Sequence, residues 1–414
     1  MVRFAHYGKK IREAWASGTL WKRAGRFLGI SVMRPSEVLV GYVRLSKADR
    51  DLDLRNGFAD HRQEPGHHRS TSEHLERIIA AYKAAKLAQR DAAPEFAIRG
   101  LWAEWISVHY KRLIAALEAE DVELLGGLLE NFFREPFTAG MDGYDCYVRY
   151  SSPLGGPYTK YVWNMYRDNL LTLGVDPHQV DFPRVGNPVG VMVDGKIISI
   201  ETLRHAYHAT EMRELLQNER GAVCVEIGGG TGGQAYQFVR LASAQAAKYV
   251  VFDIPEVAVL SSYFLLSALP ECRVRLYGEG PVSVAAGEEY DLAVFPHFAV
   301  TRLPDASVDL FFNDCSFSEM DGKSARGYLS VIERACRRYF LHDNHDEVFK
   351  FKNPDGTTSI NVIGSELVPD PTTFKQVFKK ARIHGLPEDR FVEQYEYLYE
   401  NIRPRVRAEA DLST

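Results

Sequence analysis

The sequence predicts a doubly wound α/β domain of the Rossmann-like class, preceded by a mainly helical N-terminal domain. Three observations carry this prediction. Short apolar runs alternate with amphipathic stretches after about residue 200, a glycine cluster follows the first of these runs, and apolar residues recur at helical spacing between residues 72 and 133. Strands that alternate with helices form parallel sheets covered on both faces. We therefore expect a helical domain over residues 1–185 and the Rossmann-like domain over residues 186–405.

The composition is that of an ordinary globular protein. Its 414 residues suggest two or three domains, and 45% of them are hydrophobic and 25% charged. The net charge of -5 provides no overall attraction to nucleic acid, so no nucleic-acid partner is expected. The five cysteines form no Cys-x-x-Cys pair, and no apolar run resembles a signal peptide or a membrane span. We expect a protein of the reducing cytoplasm.

Residues 1–50 form a basic arm, with eleven Lys and Arg against three Asp and Glu. Trp15, Trp21 and Phe27 are interleaved with these charges. Such a stretch suits peripheral contact with an anionic membrane surface. The alternative is a solvated, partly helical arm, which is the more common use of a charged run.

Two helical stripes are expected in the rest of the N-terminal domain. Leu75 and Ile78 fall on one face of a helix that Ser72 caps, and Trp102 opens a second stripe that continues to Leu117. We interpret both stripes as packing faces. The tyrosine-rich residues 141–170 are typical of either a substrate lid or a packed core.

A tight hairpin is predicted at the start of the C-terminal domain, within residues 186–200. Asp194 and Gly195 separate two short apolar runs there, a pattern that favours a two-residue turn. A short helix at Leu203–Leu216 is expected to follow. The predicted strands and helices then alternate in the order VCVEI, helix from Gly233, YVVFD, helix Leu260–Leu269, VDLFFN, helix Tyr328–Arg337 and YFLHD. CRVRLY and DLAVFP are both candidates for the third strand, and the pattern does not decide between them.

The glycine cluster VCVEIGGGTGGQAY joins a buried strand to a helix and predicts a ligand-binding turn. Gly228, Gly230 and Gly233 satisfy the G-x-G-x-x-G pattern of a dinucleotide site, and Asp253 lies 20 residues beyond Gly233. Asp253 ends the second strand, where a carboxylate can accept hydrogen bonds from ribose hydroxyls of several cofactors.

Glu226 discriminates between the possible cofactors. It precedes Gly228, Gly230 and Gly232 in the sequence Glu-Ile-Gly-Gly-Gly-Thr-Gly. An anion here repels a pyrophosphate and attracts the ammonium group of a methionine moiety. We therefore favour S-adenosylmethionine over NAD, and leave an NAD-dependent oxidoreductase and a non-catalytic binding protein of the same fold as alternatives.

Several motifs in order resemble the sugar O-methyltransferase family of bacterial polysaccharide and glycoconjugate clusters. They are VGNPVG, LRHAYHATEM, VEIGGGTGGQAYQF, FDIPE, LFFNDCSFSEM and YFLHDN. The resemblance implies a class I methyltransferase that acts on a hydroxyl of a sugar or glycoconjugate. It spans residues 186–344 and leaves the N-terminal 180 residues uncovered. Thr231 departs from it, because similar proteins often carry an aromatic residue there.

Candidate bases follow the strands VDLFFN and YFLHD, because open parallel sheets bind ligands at the carboxyl ends of their strands. Glu319 lies about where the resemblance implies the base of metal-independent O-methyltransferases. His342 and His345 are alternatives whose ordinary pKa is near neutral. Helix capping by Glu319 and surface positions for the histidines would explain these residues without catalysis.

A magnesium site is a third assignment for the same strand ends. Asp314, Asp343 and Asn344 resemble the Asp and Asp-Asn ligands of magnesium-dependent O-methyltransferases. Three hard oxygen ligands would suit Mg²⁺. We rank this below the metal-free assignment. Asn313 is predicted to face the methionine end of the cofactor, and Tyr207 and His208 to cover the methyl site or pack the helix.

Overall fold

The computed structural model describes residues 52–68, 70–141, 143–150, 155–178, 180–241, 248–285, 287–353, 356–382 and 394–403. The basic arm of residues 1–50, and with it the predicted membrane contact, lies outside these ranges. None of the helices in these ranges combines the length and the apolar composition that a membrane span requires.

The described residues fall into two compact units, and both are discontinuous in sequence. Those within Met1–His67 and Asn131–Arg204 form the first unit, and those within His68–Glu130 and His205–Thr414 form the second. This division differs from the single boundary expected between residues 185 and 186. The helices that follow residue 70 belong to the same compact unit as the sheet of the C-terminal part.

The first unit contains helices and one hairpin. Its elements are α1 Leu54–Gly57, 3-10 turns at Phe132–Arg134 and Pro136–Thr138, α6 Tyr144–Tyr150, α7 Gly155–Thr172, β1 Val191–Val193 and β2 Lys196–Ile198. The predicted hairpin is confirmed, since β1 and β2 pair antiparallel around Asp194 and Gly195. Both turn residues have positive φ, 49° and 77°, as a type I′ turn requires. The tyrosine-rich segment forms α6 and α7.

The second unit begins with a group of short helices. They are α2 Ser72–Ala88, α3 Gly100–His109, α4 Lys111–Glu118 and α5 Val122–Leu129, with 3-10 turns at Gln89–Asp91 and Pro94–Phe96. The cap of α2 is Thr71 and not Ser72, because the Thr71 hydroxyl accepts a hydrogen bond of 3.2 Å from the backbone N–H of His74.

The rest of the second unit alternates helices with strands. The elements are α8 Ile200–Leu216 (which starts in the first unit), β3 Val223–Ile227, α9 Gly233–Leu241, β4 Lys248–Asp253, α10 Pro255–Ala268, β5 Val274–Leu276, β6 Leu292–Pro296, β7 Val308–Asp314, α11 Gly322–Ala335, β8 Cys336–His345, β9 Lys350–Lys352, β10 Thr358–Ile360, β11 Phe374–Ala381 and β12 Gln394–Asn401. Further 3-10 turns lie at His297–Arg302, Ser316–Glu319 and Gly364–Glu366. Each predicted strand and helix of this region is present.

Eight of the described strands form one mainly parallel sheet in the order β11-β12-β8-β7-β3-β4-β6-β5. Both candidates for the third strand are in it: β5 from CRVRLY and β6 from DLAVFP pair in parallel at one edge. At the other edge β12 runs antiparallel to both β8 and β11. The doubly wound prediction is confirmed, and the β11-β12 edge is an addition that strand-and-helix alternation did not predict.

Helix α2 packs on the sheet domain through α10. Leu75, Ile78 and Ile79 of α2 are buried, as is almost every residue of α10 from Pro255 to Ser267. A helix that is apolar all round needs neighbours on all sides, and α10 has the sheet on one side and α2 on the other. The pair is tied by an ion pair of 2.8 Å between Lys86 and the buried Glu256.

We expect Ile79→Ala to lower the free energy of unfolding of the second unit by about 2 to 4 kcal/mol, because it empties a packed position on α2. Leu87→Ala is the matched control on the same helix, since Leu87 is 64% exposed, and should change stability by less than about 0.5 kcal/mol. Urea denaturation followed by circular dichroism measures both. Equal effects of the two substitutions would show that α2 does not pack on the sheet domain.

Candidate functional site

The candidate site lies where the strand order of the sheet reverses. The chain runs from β3 to β4 in one direction and returns to place β7 on the other side of β3. The carboxyl ends of β3 and β7 therefore flank a crevice, which is where open parallel sheets bind ligands. The glycine turn follows β3, and the 3-10 turn Ser316–Glu319 follows β7.

Positive φ angles make the glycine turn possible. Gly228, Gly230 and Gly232 have φ of 78°, 55° and 89°, a region that residues with a β-carbon adopt only with strain. Close contacts add a second restriction, because a β-carbon on Gly228 would lie 2.3 Å from Oγ of Ser316. The sequence therefore needs glycine here for two separate reasons.

Glu226 is buried at the end of β3, with 3% of its surface exposed. The hydroxyl of Tyr249 on β4 donates a hydrogen bond of 3.0 Å to its Oε2. The same oxygen would be 3.2 Å from a β-carbon on Gly229. The carboxylate thus lies directly beneath the turn, as the sequence predicts.

Asp253 lies at the end of β4 and contacts the same turn. Its Oδ2 accepts a hydrogen bond of 2.8 Å from the N–H of Gly230, and its Oδ1 accepts one of 2.7 Å from the N–H of Ile254. Burial raises the pKa of Asp253 to about 7, although these two N–H groups favour the ionised form. The carboxylate therefore holds the glycine turn in place.

Asn313 has a bracing function that differs from the predicted contact with a ligand. Its side chain is fully buried, and Nδ2 donates to the carbonyl of Ile227 at 2.8 Å. Its Oδ1 accepts a bond of 2.8 Å from Nδ2 of Asn344. Oδ1 of Asn344 in turn accepts from the N–H of Ser318 at 2.9 Å. The two amides join β3, β7, β8 and the 3-10 turn after β7.

Glu319 ends that 3-10 turn and is half-buried. Nε1 of Trp102 on α3 donates a hydrogen bond of 2.7 Å to its Oε2. Burial raises the pKa of Glu319 to about 7, and the negative charges of Asp253 and Asp314 act in the same direction. Of the three predicted bases, Glu319 is therefore the one that combines a position in the turn after β7 with a pKa near neutrality.

His342 is in the protein core and is excluded as a base, contrary to the sequence-based assignment. It is fully buried and stacks on Tyr397, with ring centroids 4.7 Å apart and planes inclined by 15°. Burial lowers its pKa to about 3, which makes it a weak proton acceptor, and none of its surface is exposed. It is an aromatic packing residue of β8.

His345 lies at the end of β8 and is half-buried. Its Nδ1 accepts a hydrogen bond of 3.2 Å from the N–H of Glu347, and its ring packs on Phe349. Burial lowers the pKa of His345. Because Nδ1 accepts a bond, the neutral ring carries its proton on Nε2, so His345 suits a donor better than the predicted base.

The three predicted magnesium ligands are not brought together. Asp314 and Asp343 are neighbours in the register of β7 and β8. The amide of Asn344, however, is held by Asn313 and Ser318 on the other face of β8. Successive residues of a strand point to opposite faces, and in this structure the Asp343 carboxylate lies beside His208 and Arg382.

Sequence reasoning missed a buried polar cluster on the Asp343 face of β8. His208 on α8, Asp343 and Glu396 on β12 are all buried and present ligand-type atoms within 4.8 Å of one another. Nε2 of His208 lies 3.7 Å from Oδ2 of Asp343. No motif marks this cluster, because its members are separated by more than fifty residues and the antiparallel edge brings them together.

Two basic side chains neutralise this cluster. Nζ of Lys380 lies 2.9 Å from Oε2 of Glu396, and Nε of Arg382 lies 3.5 Å from Oδ2 of Asp343. The hydroxyl of Tyr207 donates a bond of 2.9 Å to Glu396. Cations already lie against both carboxylates, so the cluster is better described as a buried ionic network than as a metal centre.

Comparison with known proteins gives fold-level likeness only. No protein-family model and no curated protein matches the sequence. Among solved structures, a SAM-dependent methyltransferase of Aquifex aeolicus is 13% identical, with a TM-score of 0.31 over 49% of this chain and 97% of its own. The magnesium protoporphyrin IX methyltransferase of Synechocystis PCC 6803 is 11% identical, with a TM-score of 0.32 over 49% of this chain and 85% of its own.

We expect Gly228→Ala to destabilise the second unit by at least about 1 to 2 kcal/mol, because a left-handed backbone strains an alanine and its methyl group meets Ser316. Gly127→Ala on α5 is the control, since its β-carbon would meet no atom within 4 Å; it should be neutral or slightly stabilising. Thermal unfolding measures both variants. A Gly228→Ala protein as stable as the control would show that the turn has another conformation.

Proposed function

We propose that this protein is an S-adenosylmethionine-dependent methyltransferase that methylates a hydroxyl of a sugar or glycoconjugate. The observation that carries the proposal is the buried carboxylate of Glu226 beneath the glycine turn after β3. A ligand with an ammonium group is attracted by an anion at this position, whereas the pyrophosphate of a dinucleotide is repelled.

Glu226, Asp253 and the backbone of the glycine turn are the residues that would hold the cofactor. The glycines of the turn have no side chains of their own, so a ligand can approach its backbone closely. Asp253 ends the neighbouring strand. From this position a carboxylate can accept hydrogen bonds from ribose hydroxyls. Bound there, adenosylmethionine supplies an electrophilic methyl group.

Glu319 is the proposed general base. A hydroxyl must lose its proton as it forms the new bond, whereas an amine attacks through a lone pair and can lose a proton afterwards. A carboxylate whose pKa is near 7 is a stronger base than an ordinary glutamate and is still partly ionised at neutral pH. Oε2 accepts the bond from Trp102, so Oε1 is the oxygen that would take the proton.

Two observations support a sugar as the acceptor. They are the order of motifs from VGNPVG to YFLHDN and the presence of a base suited to a hydroxyl. A panel of nucleotide sugars, lipid-linked sugars and small glycosides, each incubated with the protein and labelled adenosylmethionine, identifies the acceptor. Label found in an amine, or in none of the sugars, would contradict the sugar hydroxyl as the acceptor. The identity of the methyl donor would then still be tested by the binding measurement below.

We expect Glu226→Gln to weaken adenosylmethionine binding at least tenfold, about 1.4 kcal/mol, because the variant removes the anion and keeps the shape of the side chain. Isothermal titration calorimetry measures the change. Tyr249→Phe is the matched control, since it removes the hydrogen bond to Glu226 and leaves the charge; its dissociation constant should stay within about threefold.

The same titration tests the rival cofactor. NADH should give no heat with the wild type, and removal of the negative charge would improve its binding if the turn were a dinucleotide site. An unchanged affinity of Glu226→Gln for adenosylmethionine would contradict the proposed cofactor site. Absence of heat with either ligand at millimolar concentration would favour a non-catalytic protein.

We expect kcat/KM for methyl transfer to rise with pH and to level off above about pH 7, because Glu319 must be ionised to accept a proton and burial raises its pKa to about 7. Glu319→Gln should lower kcat by about 100-fold or more and abolish this rise, with adenosylmethionine affinity unchanged. His342→Phe is the control, since it keeps the aromatic stack of the core. A normal pH profile in Glu319→Gln would assign the base elsewhere.

A further inference from the structure

Helix α3 brings a tryptophan to the candidate base. Nε1 of Trp102 lies 2.7 Å from Oε2 of Glu319, and this is the one hydrogen bond to that carboxylate among the described parts of the chain. Trp102 belongs to the second helical stripe of the sequence, where a packing function was expected. Its indole N–H instead reaches a group with an evident chemical use.

The start of α3 is fixed in place two residues before Trp102. The N–H of Gly100 donates a bond of 3.1 Å to Oδ1 of Asn353, which follows β9. Gly100 has φ of 60°, and a β-carbon there would lie 2.9 Å from the ring of Phe351 on β9. These contacts set where the first turn of α3 lies, and therefore where the indole N–H points.

The indole N–H opposes the other influences on Glu319. Burial and the charges of Asp253 and Asp314 all favour the protonated carboxyl, while the hydrogen bond from Trp102 favours the carboxylate. An indole N–H is a donor only and cannot accept the proton. The indole N–H can therefore stay bonded to Oε2 whether Glu319 is protonated or ionised. It cannot take the proton of the acceptor hydroxyl, which is left to Oε1.

We propose that Trp102 is a positioning residue, which orients the Glu319 carboxylate for proton transfer and stabilises its ionised form. The catalytic meaning of this contact rests on the proposed function, in which Glu319 is the base. The contact itself does not, because the ionisation of Glu319 can be measured in the protein alone.

The direct experiment is an infrared pH titration of the full-length protein. The carbonyl band of protonated Glu319 is identified as the band that Glu319→Gln lacks. Trp102→Phe should move the titration midpoint of this band upward by about half to one pH unit, the effect of losing one hydrogen bond to a carboxylate. Trp105→Phe is the matched control on α3: its ring packs on His109, and the midpoint should not move.

Replacement of Trp102 by benzothienylalanine separates the N–H from the ring. This residue has the shape of tryptophan and sulfur in place of the N–H, so packing is retained and it should give the same upward shift as phenylalanine. It also covers the case in which Trp102→Phe folds poorly. An unchanged midpoint with benzothienylalanine would overturn the proposal.

The kinetic readout distinguishes positioning from a merely structural contribution. The pH profile of kcat/KM in Trp102→Phe should move upward by the same interval as the infrared midpoint, with adenosylmethionine affinity unchanged. A uniform loss of rate at all pH values without a shift would overturn the proposal. Lack of methyl transfer by the wild type to any acceptor, with the infrared shift present, would instead remove the proposed function and leave the contact established.

Discussion

The site depends on the burial of one carboxylate beneath a backbone turn. Glu226 occupies the end of the central strand, and a β-carbon on Gly229 would lie 3.2 Å from its Oε2 and 2.4 Å from Val251. The turn must consequently be glycine, and its own hydrogen bonds hold it: the N–H groups of Gly228 and Gly230 donate to Phe252 and Asp253. Burial of an anion is costly unless it is compensated. Tyr249 supplies a hydrogen bond, and a cationic ligand reduces that cost further, which is the physical reason for preferring a ligand with an ammonium group.

A second constraint holds the two strand ends at a fixed separation. The amides of Asn313 and Asn344 bond to each other, to the end of β3 at Ile227 and to the turn after β7 at Ser318. Each amide offers both a donor and an acceptor, so the pair satisfies itself inside the core. Its consequence is that Glu319, at the end of the turn after β7, has a fixed position relative to the glycine turn. The sequence predicts a cofactor contact for Asn313 and a magnesium ligand for Asn344. An amide at a strand end has the same sequence pattern whether it binds a ligand or braces the fold.

The sequence predicts what is local and misses what depends on distant pairing. The strand, the turn and the start of the helix around Glu226 follow from the fourteen consecutive residues VCVEIGGGTGGQAY, so the fold class and the glycine turn were predictable. Glu396 and Lys380 lie on the antiparallel edge, whose pairing with β8 no local pattern indicates. Trp102 is on a stripe with helical period, and period alone cannot distinguish a packing residue from a hydrogen-bond donor. His342 was misassigned for a similar reason, because burial is a property of the assembled sheet.

The crevice contains two carboxyl groups whose ionised form is disfavoured by burial. Burial raises the pKa of both Asp253 and Glu319 to about 7, and the charge of Asp253 opposes ionisation of Glu319. Asp253 also holds the glycine turn through the N–H of Gly230, so a positive ligand bound at that turn favours the loss of the Asp253 proton. By linkage, ionisation of Asp253 strengthens the binding of that ligand. Desolvation therefore makes the turn selective for a cation, because a cation lowers the penalty that burial places on the Asp253 carboxylate.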